Sequence, residues 1–218
     1  MSKKAKAERK PYTWSDFGMQ AIAFLVAVFF IFPLLIILNN SFKTTPELVL
    51  NFPLSTPESF NLTNYTTAWN KLELGSAFLN SLIYTGVSVV LIAVLCSITA
   101  WAIARGQSRF FSFCRVYFII GILIPAQALV LPIYLLWNSM GLINSRPGLI
   151  ALYVSTGLSF GIFLQTNFMK TVPIDIEEAA RIDGCNVYQT FFKVVMPLLK
   201  APMATLIITQ SFSIWNDY

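Results

Sequence analysis

The 218-residue sequence contains no histidine, and only 11% of its residues are charged. A soluble domain of this length carries roughly 25% charged residues, so too little polar surface is present to cover a globule in water. The missing histidine removes the commonest general base and metal ligand. Only three cysteines occur, Cys96, Cys114 and Cys185, far apart and without a C-x-x-C, which argues against a disulfide framework or a thiolate metal site. None of the ten glycines precedes a lysine, so the G-x-x-x-x-G-K-S/T phosphate cradle is missing as well. No cofactor is expected.

Apolar sequence is what the chain has in quantity: 56% of residues are hydrophobic and the mean hydropathy is +0.66. The charges punctuate it into long neutral runs. The first run predicts a span at 17–38, long enough to cross about 30 Å of hydrocarbon at 1.5 Å per residue. Further spans are expected near 77–104, 116–137, 148–169 and 201–217. Each must be helical, because a backbone in lipid has to satisfy its own hydrogen bonds. Pro33, Pro125 and Pro132 fall inside spans and require a kink or help from neighbours. The basic residues before the first span resemble a signal-peptide n-region. The apolar run is too long for an h-region, however, and no A-x-A-like site follows, so it reads as an uncleaved span.

Lys and Arg orient the spans. The tail (residues 1–16), the loop at 105–115 and the loop at 170–200 hold twelve: Lys3, Lys4, Lys6, Arg9, Lys10, Arg105, Arg109, Arg115, Lys170, Arg181, Lys193 and Lys200. The opposite loops hold Lys43, Lys71 and Arg146. Twelve against three places the N-terminus in the cytoplasm, and the net charge of +5 then reports topology and not nucleic-acid binding.

Two loops stand out. The outer loop, 39–76, is rich in Asn, Thr, Ser and Pro and reads as irregular with one short helix. Its Asn61-Leu-Thr and Asn64-Tyr-Thr match a glycosylation sequon, against which stands an ordinary polar loop. The inner loop, 170–200, predicts a first helix entered at Pro173, with Asp175, Glu177 and Glu178 favoured by the helix dipole. Gly184 then sits at the C′ position, and Asn186 with Gln189 resembles a capping box. A second helix with Val187, Phe191, Val194 and Val195 on one stripe leads to Pro197. By residue chemistry alone this loop is either an amphipathic connector tucked against its own spans or an element that docks into a partner.

The wording of that loop resembles the EAA motif of permease subunits in bacterial ATP-binding-cassette (ABC) importers. Glu178-Ala179-Ala180 is followed after three residues by Gly184, then after nine by Val194, Val195, Met196 and Pro197; Val and Met stand where the motif has Ile and Leu. The "IDG" within it, "FKTTPEL", "FNLTNYTTAW", "FLNSLIYT" and "SIWNDY" are similar to the second permease of maltose-type carbohydrate importers. The resemblance implies an all-α integral membrane protein, a polytopic helical bundle with five spans present where the family has six, so a C-terminal part is expected beyond Tyr218. It implies a second permease, a cytoplasmic ABC ATPase dimer, an extracytoplasmic solute-binding protein and a carbohydrate substrate as partners. Glu178 would contact the ATPase, Ala179 and Ala180 would allow close approach, and Asp183, Gly184 and Pro197 would shape the loop.

Sugars need hydroxyl hydrogen bonds and aromatic faces. Intramembrane candidates are Asn80, Gln127, Tyr134, Asn138 and Gln165, beside Ser81, Thr85, Ser155, Thr156, Ser159 and Asn167, with Tyr84, Trp137 and Tyr153 as further aromatics. Helix–helix packing and the interfacial aromatic belt compete for the same residue types. An ABC permease for a non-sugar solute shares the motif. A secondary transporter predicts internal repeats and intramembrane charge, neither of which is seen, and a membrane enzyme would need a catalytic set near one face.

Overall fold

A computed structural model describes residues 14–217, all helix and connection without a strand among them; side chains are described from Asp16. The basic tail read at 1–16 therefore lies mostly outside the described residues. The chain divides into two units, residues 1–75 and 76–218.

In the first unit, α1 (Trp14–Ser41) is an unbroken helix that carries Pro33 within it. Two short helices follow in the outer loop, α2 (Thr45–Leu50) and α3 (Thr63–Lys71), where one was expected. The loop is organised from within. Lys43 is fully buried, with Nζ donating to the carbonyls of Phe52 and Pro53. Glu47 accepts from the backbone N–H of Thr44 at 2.6 Å and of Glu58 at 2.9 Å, closing a capping box. Both sequon asparagines serve this loop: Asn61 Oδ1 accepts from the N–H of Thr63, and Asn64 Nδ2 donates to the carbonyls of Ser41 and Lys43. Their side chains are used for loop structure, which explains a sequence that reads like an attachment signal.

The second unit holds α4 (Leu74–Arg105, which begins just before it), α5 (Arg109–Leu123), α6 (Ala126–Ser139) and α7 (Arg146–Met169). Its core joins Ile92 and Cys96 of α4, Tyr153 and Ile162 of α7, and Leu206 and Ile214 further on. Glycine makes the close approach possible: a Cβ at Gly157 would stand 2.7 Å from Ile92, and one at Gly161 would collide with Cys96.

The expected span at 116–137 is not one straight helix. It is α5 and α6, meeting at 104° across Pro125. A residue before proline is pushed out of the α region, and Ile124 accordingly lies at φ −77°, ψ 121°. The polypeptide still returns to the starting side. Asn80 near the start of α4 accepts from Arg146 at the start of α7, while Arg105 at the end of α4 reaches Glu177 just beyond α7. Helices α4 and α7 therefore run in the same direction, and the bent α5–α6 pair carries the chain back between them. Among the described residues, three single helices (α1, α4 and α7) are long and apolar enough to cross a membrane, or up to five spans if each bent pair counts as one.

Beyond α7 come α8 (Ile174–Ile182), α9 (Val187–Gln189), a π-helical stretch at Thr190–Val195, α10 (Met196–Leu198) and α11 (Lys200–Trp215). The second loop helix read at 187–196 is thus a helical run with a widened turn. Pro197 cannot donate, and its ring excludes the carbonyl four residues back; a π turn is one way to accommodate that. A 76° bend between Val187–Leu198 and α11 separates this run from the last apolar helix, which spans 200–215 against the 201–217 read from sequence.

Candidate functional site: the loop 170–200 and its anchor

The loop 170–200 is built as the sequence pattern dictates. Pro173 is the N-cap residue of α8, and Asp175 and Glu177 lie in its first turn. Gly184 has φ +87°, where a side chain is strained, and it ends the helix after Asp183. Asn186 Oδ1 accepts from the N–H of Gln189 while Gln189 Oε1 accepts from the N–H of Asn186, a reciprocal cap with both bonds at 2.9 Å.

What the pattern does not announce is how the loop is fastened. Glu177 is buried, with a side chain 2% exposed. Its Oε2 accepts from Trp101 Nε1–H at 2.9 Å, and its Oε1 accepts from Arg105 at 2.8 Å. Arg105 Nη2 also donates to the Val172 carbonyl at 2.8 Å. Charge-assisted bonds to a carboxylate are about twice as strong as neutral ones, and here they leave neither oxygen without a donor. Trp101 stacks at a tilt on Phe191, with centroids 5.2 Å apart, and packs with Ala104 against Met169, Val172, Phe191, Val195 and Leu199. One end of α4 thereby grips both helical parts of the loop.

The remaining face of α8 is open. Glu178, Ala179, Asp183 and Gly184 are exposed, as is Ile182 beside them at 86%; Ala180 is buried. Glu177 and Ala180, three apart, form the inward stripe of one short helix. The sequence reading placed Glu177 only in the favourable first turn and missed its anchoring role. An Arg and a Trp four residues apart at the end of a span were the available signal. In the second loop segment, Phe191 and Val195 are buried, whereas Val187 of the expected stripe is exposed.

The polar and aromatic candidates do not gather into one place. Asn80 is half-buried and accepts from Arg146 Nη2 at 3.1 Å. Nearby, Tyr84, Trp137, Ser145 and Arg146 line a cavity of about 470 Å³ with Leu142, Leu149 and other residues of the α6–α7 turn. Trp137 Nε1 is committed to the Gly148 carbonyl. Gln127, Tyr134 and Asn138 are exposed on α6. Gln165 is fully buried, its amide donating to the Met203 sulfur at 3.6 Å while Oε1 has no partner among the described residues. Tyr153 donates to Asp217 Oδ2 at 2.8 Å.

The long apolar helices are those of a multi-pass membrane protein. The chain belongs to the family of binding-protein-dependent transport system inner membrane components, whose model matches residues 94–218. It is 36% identical over 197 residues to a probable starch degradation products transport system permease, AmyC, of Thermoanaerobacterium thermosulfurigenes, covering 90% of this chain and 71% of that one. It is 34% identical to the diacetylchitobiose uptake system permease NgcG of Streptomyces coelicolor, covering 91% of this chain and 65% of that protein. The melibiose/raffinose/stachyose import permease MelC of Bacillus subtilis is 32% identical, with 90% of this chain and 71% of that one covered. The chain thus spans about two thirds to 71% of these relatives. Its fold matches a bacterial ABC transporter involved in import of the acidic polysaccharide alginate, with a TM-score of 0.80 at 24% identity over 95% of this chain and 74% of that one.

Proposed function

We propose that this chain forms part of the translocation path of an ATP-driven importer for a mono- or oligosaccharide, working with a second permease and an extracytoplasmic solute-binding protein. A cytoplasmic ATPase dimer hydrolyses the ATP, and the loop 170–200 docks on it through the open face of α8. The observation that carries this reading is the division of labour on α8: Glu177 and Ala180 hold it to the protein, while Glu178 and Ala179 face outward with the neighbouring Ile182. This leaves a carboxylate, a small side chain and an apolar side chain free on the face turned away from the protein, which supports a docking role. The sugar assignment is supported by the relatives, permeases for starch degradation products, diacetylchitobiose and melibiose, raffinose and stachyose.

The orientation follows from the distribution of basic residues: N-terminus and loop 170–200 in the cytoplasm, outer loop 39–76 outside. The candidates Asn80, Gln127, Tyr134, Asn138 and Gln165 then lie along or near the path, with Asn80 and the adjoining cavity toward the outer end.

Uptake of radiolabelled maltotriose, melibiose and diacetylchitobiose by proteoliposomes holding the full complex tests the assignment. ATP-dependent accumulation of at least one of them, requiring the binding protein, is expected. Accumulation of none, with amino acids or peptides transported instead, would replace the sugar reading with the non-sugar permease.

A further inference from the structure

We infer that Glu177, Arg105 and Trp101 form a rigid joint that makes α8 and the inner end of α4 move as one body, so that a displacement imposed on α8 by the ATPase reaches a membrane-crossing helix directly. The inference rests on the docking reading above and names the element that transmits the movement. Glu177 is a positioning residue in this account, acting through α4 and not on the sugar.

Three observations support the joint. First, the contact links residues 72 and 76 positions apart in sequence, so it is a tertiary fastening and not a local cap. Second, the same guanidinium also holds the Val172 carbonyl, so the segment leading from α7 into α8 is fixed at two points to one side chain. Third, Trp101 shares itself between the two halves of the loop, with its N–H on Glu177 and its ring against Phe191. The turn at Gly184 divides those halves, and each is tied separately to α4. A hinge at Gly184 therefore cannot absorb a push on α8 without breaking bonds to a buried carboxylate.

By contrast, the covalent route from α8 to α7 runs through only Lys170–Pro173, a short non-helical link. Without the joint, α8 would be tied to the α4–α7 pair by that link alone, its remaining packing being on the π-helical stretch of the same loop. Coupling requires an element that both sites bias, and a helix pinned to a span by a buried ion pair meets that requirement. Helix displacements at such interfaces are typically about 1–2 Å, which a loose connection would dissipate.

The test places spin labels at the exposed positions Ala102 on α4 and Asp175 on α8, with Cys96, Cys114 and Cys185 replaced, in the full complex with its ATPase. Pulsed dipolar spectroscopy measures the 102–175 distance with ADP and with ATP plus vanadate. In the otherwise unaltered chain a narrow distribution is expected, the same in both nucleotide states. With Glu177→Gln, which keeps shape and removes charge, the distance should broaden and shift between nucleotide states by about 1–2 Å or more. Broadening that does not follow the nucleotide would mark a merely structural role for Glu177 and overturn the joint. Should that variant fail to assemble, Trp101→Phe, which deletes one donor and keeps the ring, should show the same nucleotide-dependent shift. A variant whose distance stays narrow and constant overturns the joint, as does an unaltered chain whose distance changes with nucleotide. If the unaltered chain does not hold the ATPase at all, the docking reading fails and the joint fails with it.

Discussion

Glu177 and Glu178 are adjacent in sequence and opposite in situation: the first is buried against Trp101 and Arg105, the second faces away from the protein. One helical residue step, about 100°, is enough to give neighbouring carboxylates separate tasks. Glu177→Ala is therefore expected to lower stability, by about 3 kcal/mol, because it strands a largely buried guanidinium. Glu178→Ala should leave the thermal midpoint within about 1 °C, as a surface change normally does. It should instead weaken recovery of the ATPase by roughly tenfold, the equivalent of about 1.4 kcal/mol. Thermal unfolding and ATPase co-purification, measured on both variants, separate the two roles.

Gly184 offers a second test. Its φ of +87° costs any L-residue, and no atom lies near enough for a Cβ to collide, so the cost is conformational and not steric. Gly184→Ala should destabilise the α8 end by about 1–2 kcal/mol, seen as faster amide exchange across residues 179–186. Gly184→Asp should abolish uptake while the protein stays in the membrane. Transport and ATPase association that both survive it would contradict the docking role.

Packing inside the membrane unit is tested at Gly161. A methyl group there would strike Cys96, so Gly161→Ala should cost about 1–3 kcal/mol. Adding Cys96→Ala should recover part of that loss. A double variant no more stable than the single one would show that the two side chains do not share this space.

The outer loop carries a pH dependence. The backbone N–H of Thr44, then that of Glu58, holds the Glu47 carboxyl below the ordinary glutamate value of about 4.5, with the Thr44 hydroxyl and Lys43 acting in the same direction. A lowered folded pKa means that ionised Glu47 favours the folded loop above the unfolded value, and that this contribution is lost as pH falls through the folded value. Carbon-13 titration of the glutamate carboxyls should find Glu47 below the usual range. Glu47→Gln should remove that acid-sensitive step from the loop's amide protection.

Much of this was readable beforehand, for identifiable reasons. The long apolar helices followed from neutral runs bounded by charge, and the Gly184 turn and the Asn186–Gln189 cap followed from backbone chemistry that is local in sequence. The breaks were harder to read. Pro33 sits within a continuous helix while Pro125 separates two helices at 104°, and a hydropathy pattern scores the two prolines alike. The Trp101–Arg105–Glu177 fastening was invisible because nothing local pairs residues more than seventy positions apart. The burial of Gln165 against Met203 was not legible either, because which face of an apolar helix is inward depends on neighbours the sequence does not display.

The central claim is that the open face of α8 meets a cytoplasmic ATPase. A single cysteine at Ala179, in a background without the native three, puts that claim to its most direct measurement. In cells expressing the whole complex, a short bifunctional reagent should cross-link position 179 to the ATPase, in a nucleotide-dependent manner, while a membrane-impermeant maleimide added outside leaves it unlabelled. Labelling from the outside, or ready reaction from the cytoplasm with no cross-link to the ATPase in any nucleotide state, would contradict the account.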